Sequence, residues 1–284
     1  MSTPIQFVKM HGSGNDFIVV DCLSHPYNVS QLVEAAPWIC DRHFGIGGDG
    51  LILVMPGLHG AYRMRIINSD GSEAEMCGNG IRCFAKYLFE HSLTSDTRFT
   101  VDTLAGPITP LLLLDGDHVR AVQVDMGEPR LERALIPMAG PAGMVVNEPL
   151  QVGGQTFFVT AVSMGNPHAV IFVDDVAGFP LEQIGPQIEK HAVFPKKTNV
   201  EFVQVTSPSH LLMRVWERGA GITLACGTGA CATLVAAVLT GRAERTAVVE
   251  LPGGPLEITW NEADNRIDMT GPAQEVFAGT VAIE

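Results

Sequence analysis

The chain has 284 residues, 46% hydrophobic and 17% charged, which is enough for two domains with apolar cores. Its formal net charge of −13 at pH 7 argues against nucleic acid or an anionic membrane surface as a partner. Six cysteines in a chain of this length predict reduced thiols in the cytoplasm rather than a disulfide framework. We also expect no secretory signal and no membrane span, since no apolar run approaches 18 residues.

The first half of the chain predicts strands that alternate with two helices. A Gly-rich run, Gly45–Gly50, has the spacing of a dinucleotide-binding loop, but that fingerprint needs a strand before it and a helix after it. Here the polar Asp41–His43 precedes the run and a strand follows, so we reject that fold. The expected strands are residues 7–20 (broken at Gly12–Asn15), 51–54, 62–68, 99–114 and 119–126, and the expected helices are 31–40 and 81–91.

The second half repeats this pattern after a connection, residues 128–149, that is rich in Pro, Gly and Ala. A Gly–Asn–Pro–His turn at Gly165–His168 interrupts its first predicted strand pair. The expected strands are residues 155–173, 199–206, 211–217, 248–260 and 266–283, and the expected helices are 181–191 and 232–240.

Two Cys-Gly-x-Gly turns, at Cys77 and Cys226, each precede a predicted helix and lie 149 positions apart. Other matched positions follow in the same order: Gly14–Asn15 with Gly165–Asn166, Gly50–Leu51 with Asn199–Val200, Arg65 with Arg214, Asn68 with Glu217, Gly106–Pro107 with Gly254–Pro255, and Val124–Met126 with Ile267–Met269. So many ordered matches at nearly one offset indicate an internal repeat.

The repeat predicts an α/β (α+β) fold of two pseudo-symmetric halves with the active site in the cleft between them. The first half is expected at residues 1–125, with the C-terminal strand 274–284 as a candidate addition. The second half is expected at residues 126–273. Such an arrangement makes Cys77 and Cys226 face each other across the cleft.

A thiol at a helix N-terminus lies beside backbone N–H groups that have no intrahelical partner. We therefore expect a lowered pKa and thiolate near neutrality at Cys77 and Cys226. A buried structural cysteine is the alternative for either residue alone, but it leaves the duplication unexplained. Two opposed thiols suit inversion of a carbon centre, because one thiolate removes a proton while the other thiol returns one to the opposite face.

The residues beside the second turn suit an amino-acid substrate. Arg218 can bind a carboxylate through two hydrogen bonds, and Glu217 can bind an ammonium group, although exposed ion pairing is the commoner fate of such residues. His168 is either a hydrogen-bonded turn residue or a group that poises one of the thiols. Asn15, in the first turn, can likewise serve only its own backbone.

Other cysteine chemistries fit less well. The spacings from Cys77 to Cys83 and from Cys226 to Cys231 do not match a zinc site, and no His-x₃₋₅-His occurs, so no metal is predicted. A single nucleophilic cysteine with His168 as base leaves the second cysteine idle. Pyridoxal phosphate needs a lysine, and none lies among the matched positions, so no cofactor is predicted.

At these positions the sequence resembles the diaminopimelate epimerase family over nearly the whole chain. The segments that carry the resemblance are Lys9–Gly12, Gly14–Phe17, Asp41–His43, Asn68–Gly71, Cys77–Gly80, Gly165–His168, Thr198–Glu201, Glu217–Gly229 and Met269–Ala273. The resemblance implies interconversion of LL- and meso-diaminopimelate without cofactor or metal, on the route to lysine and peptidoglycan. It also implies a homodimer whose two halves are each a β-barrel-like sheet around a central helix.

By the same resemblance, Cys77 and Cys226 are the two catalytic residues. The implied substrate contacts are Asn15, Asn68, Gly78, Asn79, Asn166, Asn199, Glu217, Arg218, Gly227 and Thr228, with His168 as an auxiliary residue. Three positions depart from the family pattern: Gly50 where some members carry Gln, Ile222 where many carry Glu, and Ser13 where Leu is common. The alternatives are a proline or hydroxyproline racemase-like enzyme of the same fold and a non-catalytic anion-binding protein.

Overall fold

The computed structural model describes residues 4–283, which form two compact units. One unit ends at Val124 and is completed by the chain from Gly271 onward, while the other runs from Asp125 to Thr270. None of the helices in residues 4–283 is long and apolar enough to cross a membrane.

The first unit is a mixed sheet with two helices. Its elements are β1 (Pro4–Gly12), β2 (Asn15–Asp21), α1 (Val29–Cys40), β3 (Gly50–Pro56), β4 (Tyr62–Asn68), β5 (Glu73–Ala74), α2 (Gly78–Glu90), β6 (Val101–Thr103), β7 (Gly106–Ile108), β8 (Leu111–Asp115) and β9 (His118–Asp125). Strands β2 and β3 pair in parallel, as do β4 and β6, which requires crossover connections. Helices α1 and α2 lie on those connections, and β8 and β9 form a hairpin that is not part of this mixed sheet.

The second unit repeats this order. Its elements are a short 3-10 helix (Arg133–Leu135), β10 (Glu148–Val152), β11 (Gln155–Ser163), β12 (Pro167–Phe172), α3 (Leu181–Glu189), β13 (Asn199–Ser207), β14 (His210–Glu217), β15 (Gly221–Ile222), α4 (Gly227–Leu239), β16 (Thr246–Leu251), β17 (Gly254–Trp260) and β18 (Ile267–Gly271). Strand β12 is parallel to β13, and β14 is parallel to β16. The last strand, β19 (Gln274–Ala282), returns to the first unit and pairs antiparallel with β1.

One helix in each unit is buried on all sides. Every residue from 79 to 85 in α2 is buried, and so is every residue from 229 to 237 in α4. Helix α2 packs against β1 to β4, and α4 packs against β11 to β14 and against β16 and β17. A helix that exposes no face over two turns is a central helix with the sheet around it. This confirms the predicted fold class.

The repeat extends to the register of the strands. Ile67 pairs with Glu73 between β4 and β5, and Trp216 pairs with Ile222 between β14 and β15, in each case 149 positions later. The parallel pairs also correspond, because Gly50 lies opposite Phe17 in one unit and, 149 and 151 positions later, Asn199 lies opposite His168 in the other. The two halves of the sequence therefore build equivalent backbones.

Both central helices begin earlier than the sequence predicted, at Gly78 instead of residue 81 and at Gly227 instead of residue 232. Glycines disfavour a helix interior, and Cys-Gly-x-Gly segments before an apolar run are typical of a turn that precedes a helix. The helices include these glycines because the space around the first turn is small. A Cβ on Gly80 would lie 3.0 Å from Ile66 Cδ1, and one on Gly229 would lie 2.8 Å from Glu201 Oε1.

Candidate functional site

Each predicted cysteine stands at the start of the central helix of its unit. Cys77 is the N-cap residue of α2 and Cys226 that of α4, with extended backbone angles (φ −139° and −126°). Their carbonyl oxygens accept the first helical hydrogen bonds, both at 2.9 Å. Gly78 and Gly227 follow directly, so each thiol lies beside the unpaired N–H groups of a first helical turn.

In the first unit a chain of amides holds the thiol. The Oδ1 atom of Asn15 accepts hydrogen bonds from Cys77 Sγ at 3.5 Å and from Asn79 Nδ2 at 3.2 Å. Asn15 Nδ2 donates to Asp49 at 2.6 Å, and the buried Arg82 donates to Asn79 Oδ1 at 2.9 Å. A carboxylate only accepts and a guanidinium only donates, so both ends fix the direction of the chain. Cys77 therefore faces a hydrogen-bond acceptor, the Asn15 oxygen.

Charged residues hold Asp49 in turn. Arg42 bridges Asp49 at 2.9 Å and Asp16 at 2.6 Å, and Lys9, which is largely buried, contacts Asp16 as well. Burial by itself raises the pKa of Asp16, but the bonds from Arg42 and Lys9 outweigh it and hold that pKa at about 2. Asp16 therefore stays ionised through the physiological range, and the ion pairs around it anchor the turn that carries Asn15.

Asn68 ends β4 in the same unit, and its side chain donates to Ser72 Oγ at 2.9 Å. Opposite it in the sheet is Gly50, one of the positions that depart from the family pattern. A Cβ on Gly50 would lie 3.0 Å from the Ile67 carbonyl oxygen, so a larger side chain needs the neighbouring strand to move. The absence of Gln at this position therefore agrees with the local packing.

In the second unit Cys226 is only 5% exposed. Burial, followed by the negative charges of Glu217 and Glu201, raises its pKa well above the ordinary value. The expectation of a thiolate near neutrality is therefore wrong for Cys226, because desolvation and two carboxylates outweigh the helix N-terminus. Thr228 Oγ1 lies 3.6 Å from the sulfur and opposes the shift.

Glu217 and Arg218, at the end of β14, have different surroundings. Glu217 accepts a hydrogen bond from the Thr223 hydroxyl, and burial raises its pKa. Arg218 is exposed, and its guanidinium donates to the Lys196 carbonyl at 3.3 Å. The buried Asn199 joins this turn to β12 and β13, because its Oδ1 accepts from the Arg218 backbone N–H at 2.8 Å. Asn199 thus holds the backbone that presents Arg218.

His168 and Glu201 form a buried pair behind Cys226. His168 Nδ1 lies 2.6 Å from Glu201 Oε1, and both side chains are completely buried. His168 Nε2 lies 3.0 Å from Asn166 Oδ1, and Asn166 Nδ2 donates to Thr228 Oγ1 at 3.2 Å. A chain of hydrogen bonds therefore runs from Glu201 to the residue that contacts the Cys226 sulfur.

The predicted residues thus separate into groups within the units. Asn15, Gly78 and Asn79 surround Cys77, while Asn68 lies at the end of β4. Gly227, Thr228 and Glu217 surround Cys226, Asn166 and His168 lie behind Thr228, and Asn199 and Arg218 form a linked pair.

Asp49 and Glu201 are not among the site residues predicted from the sequence. Glu201 could have been found from its position, since it is a charged residue in the apolar run Val200–Val203. Asp49 had no comparable signal, because it lies in the Gly-rich loop rejected as a dinucleotide site. Within residues 4–283, no group of three or more His, Cys, Asp and Glu side chains is arranged to hold a metal ion.

The structure is similar to solved proteins of related fold. It superposes with a TM-score of 0.71 on a Bacillus anthracis phenazine biosynthesis protein of the PhzF family, at 16% identity over 99% of this chain and 100% of the other. It matches a probable proline racemase from Agrobacterium radiobacter K84 equally well, with a TM-score of 0.71 at 15% identity over 99% and 93% of the two chains. At this identity the likeness concerns the fold alone.

Sequence comparison is more specific. The chain is 56% identical to a diaminopimelate epimerase of Heliobacterium modesticaldum over 98% of this chain and 100% of the relative. It is 59% identical to diaminopimelate epimerase 1 of Nostoc sp. PCC 7120 over 97% and 99%. A family model described as diaminopimelate epimerase matches residues 7–132 and 160–276, which include both cysteine turns. The chain belongs to the diaminopimelate epimerase family, a family of isomerases.

Proposed function

We propose that this protein interconverts LL- and meso-diaminopimelate by a two-base mechanism in which Cys77 and Cys226 are the catalytic residues. The observation that carries the proposal is the placement of both thiols as N-cap residues of two equivalent central helices. A repeat that duplicates a fold has no structural need to keep a cysteine at both helix starts. A reaction that inverts a carbon centre needs a proton acceptor on one face and a proton donor on the other.

The remaining residues have roles that follow from their chemistry. Arg218 binds the substrate carboxylate with its exposed guanidinium, and the first-turn N–H groups at Gly78 and Gly227 stabilise negative charge as the α-proton leaves. Glu217 binds the ammonium group. Asn15, Asn68, Asn79, Asn166 and Thr228 complete the polar lining, while Asn199 and His168 act behind it.

Substrate binding favours the thiolate at Cys226. In the substrate-free protein, Glu217 contributes to the raised pKa of Cys226. An ammonium group bound to Glu217 cancels that negative charge, so the pKa of Cys226 falls when substrate is present. A base that ionises only with substrate bound is protected from oxidation at other times.

The same proposal includes a homodimer located in the cytoplasm, supporting lysine and peptidoglycan synthesis without a cofactor or metal. The family resemblance supports the assembly and the pathway. The location is supported by the six cysteines, which carry thiols rather than disulfides.

The test is an assay of purified protein that has been treated with a chelator and dialysed. We expect conversion of LL-diaminopimelate to the meso isomer at a rate unchanged by added metal or pyridoxal phosphate, and no racemisation of L-proline. Racemisation of proline in place of diaminopimelate indicates the proline racemase activity. Binding without exchange of the α-proton indicates an anion-binding protein.

A further inference from the structure

The turn that carries Glu217 and Arg218 is bonded at both ends to one buried carboxylate. Glu189, the last residue of α3, is only 3% exposed, although a carboxylate in that position loses its hydration. Its Oε2 atom accepts a hydrogen bond from the Trp216 indole Nε1 at 2.8 Å, and its Oε1 atom accepts one from the Gly219 backbone N–H at 3.2 Å. These two donors stand immediately before and after Glu217 and Arg218 in the chain.

A second buried side chain holds the middle of the same turn. Asn199, at the start of β13, accepts a hydrogen bond from the Arg218 backbone N–H at 2.8 Å. Two successive backbone N–H groups, at residues 218 and 219, are thus bonded to side chains of two other elements. The backbone that presents the Arg218 guanidinium is therefore fixed by α3 and β13 as well as by β14.

Close packing between α3 and β14 brings the carboxylate within reach. A Cβ on Gly185 would lie 2.8 Å from Trp216 Cβ, so a larger residue at this position of α3 would push the helix away from the strand. Glu189 follows Gly185 by four residues and lies on the same face of the helix. It therefore reaches the indole nitrogen and the Gly219 N–H at the end of the strand.

In the first unit, apolar residues occupy the corresponding positions. Cys40 corresponds to Glu189 at the repeat distance of 149 positions. Ile67 corresponds to Trp216 at the same distance, and Cys40 and Ile67 belong to one apolar core. The second unit therefore has a buried carboxylate where apolar packing serves in the first, although burying a charge is unfavourable for stability.

An ion pair does not account for the burial of Glu189. Lys197 Nζ lies 3.9 Å from Glu189 Oε1, and the lysine side chain is more than half exposed. An ion pair with an exposed partner at that distance contributes little to stability. The N–H donors of Trp216 and Gly219 are closer, so holding the turn is what the carboxylate does.

We propose that Glu189 is a positioning residue that holds the turn between Trp216 and Gly219, so that Arg218 is ready to bind the substrate carboxylate. The inference rests on the proposed function in assigning that role to Arg218. A carboxylate suits this place because it only accepts hydrogen bonds and has one oxygen for each of the two N–H donors. An arginine side chain loses less conformational freedom on binding when the backbone that carries it is already fixed.

The first measurement needs no substrate. Glu189→Gln leaves one acceptor oxygen for two donors, so either the Trp216 indole or the Gly219 N–H then faces an NH₂ group. We expect hydrogen exchange of at least one of these two groups to accelerate by about 10-fold or more, since a hydrogen bond to a charged group is of that size. Nitrogen-15 NMR measures both groups. The matched control is Glu182→Gln, which removes an exposed carboxylate from the same helix. Unchanged exchange at both groups overturns the proposal.

The second measurement is the steady-state kinetics of diaminopimelate epimerisation. We expect Glu189→Gln to raise KM by about 3- to 10-fold and to change kcat by less than about 2-fold, because the loss concerns substrate binding rather than proton transfer. Glu182→Gln should leave both constants unchanged. An unchanged KM in Glu189→Gln contradicts the proposal.

A double-mutant cycle separates positioning from a general loss of stability. In an Arg218→Met background the guanidinium is missing, so Glu189→Gln should lower kcat/KM by less than about 2-fold further. An equal loss in both backgrounds shows that Glu189 does not act through Arg218 and overturns the proposal. If the unmodified protein does not convert diaminopimelate, the proposed function is wrong instead, and the exchange measurement still decides whether Glu189 holds the turn.

Discussion

The two cysteine turns have equivalent backbone conformations but differ in the side chains around the sulfur atom. Cys77 is half-buried and faces the oxygen of Asn15, in a chain whose direction charged residues fix at both ends. Cys226 is buried beside Glu217 and Glu201, and a chain of hydrogen bonds from His168 through Asn166 and Thr228 reaches it. The comparison shows that duplication preserved the backbone at the two helix starts while the groups around the two sulfurs diverged.

The largest expected effect comes from the thiols themselves. Cys77→Ser and Cys226→Ser should each reduce epimerisation by about 10³-fold or more, because a serine hydroxyl is far less acidic than a thiol and general acid–base catalysis contributes 10²–10⁴-fold. Turnover is measured with circular dichroism as the check on folding. Substantial turnover by either folded variant would show that one half carries the reaction alone.

The next largest effect concerns Glu217, which has Asn68 at the corresponding position of the first unit. Glu217→Gln should reduce kcat/KM by about 10²-fold, as expected for loss of one bond between charged groups. It should also lower the pKa of Cys226, because a negative charge that raises this pKa is removed. Steady-state kinetics and the cysteine titration are the measurements, with the exposed Glu244→Gln as control. An unchanged Cys226 pKa contradicts the assigned charge on Glu217.

Arg218 has a serine, Ser69, at the corresponding position of the first unit. Arg218→Lys should weaken substrate use by about 10-fold, mainly in KM, because an ammonium cannot reproduce two parallel hydrogen bonds to a carboxylate. The exposed Arg130→Lys in the same unit is the matched control. Equal kcat/KM for the two variants would remove Arg218 from the site.

The smallest effect concerns stability. Asp16 has a folded-state pKa of about 2, below its ordinary value of 3.8, so its contribution is present above pH 4 and lost as pH falls through 2. Asp16→Asn should cost roughly 1–2 kcal/mol of unfolding free energy at pH 7, and the difference from the unmodified protein should shrink towards pH 2. Urea unfolding at several pH values measures this. A pH-independent difference would show that the ion pairs with Arg42 and Lys9 are not responsible.

The sequence was sufficient for the repeat, the fold class and both helix-start cysteines. All three depend on local sequence patterns, such as Cys-Gly-x-Gly before an apolar helix. The strand pairs were also predictable, since β4 and β14 alternate with period two. The early helix starts were not, because tertiary packing around Gly80 and Gly229 overrides their poor helix propensity.

The ionisation of the site escaped sequence reasoning for a different reason. The helix N-terminus at Cys226 is visible in the sequence, but Glu201 and Glu217 approach the thiol from other strands, and the thiol itself is buried. The sum of these effects has the opposite sign to the helix effect alone. Burial and the three-dimensional proximity of charges, rather than any motif, decide the pKa of Cys226.

The central claim is that two different thiols exchange protons with the two faces of one carbon. The most direct measurement is mass spectrometry of both isomers at low conversion of LL-diaminopimelate in deuterium oxide. A two-base reaction predicts meso product that carries one deuterium at the inverted carbon, while the remaining LL substrate carries none. Product that keeps its original proton, or substrate labelled as fast as product forms, would mean that one group serves both faces and would contradict the account.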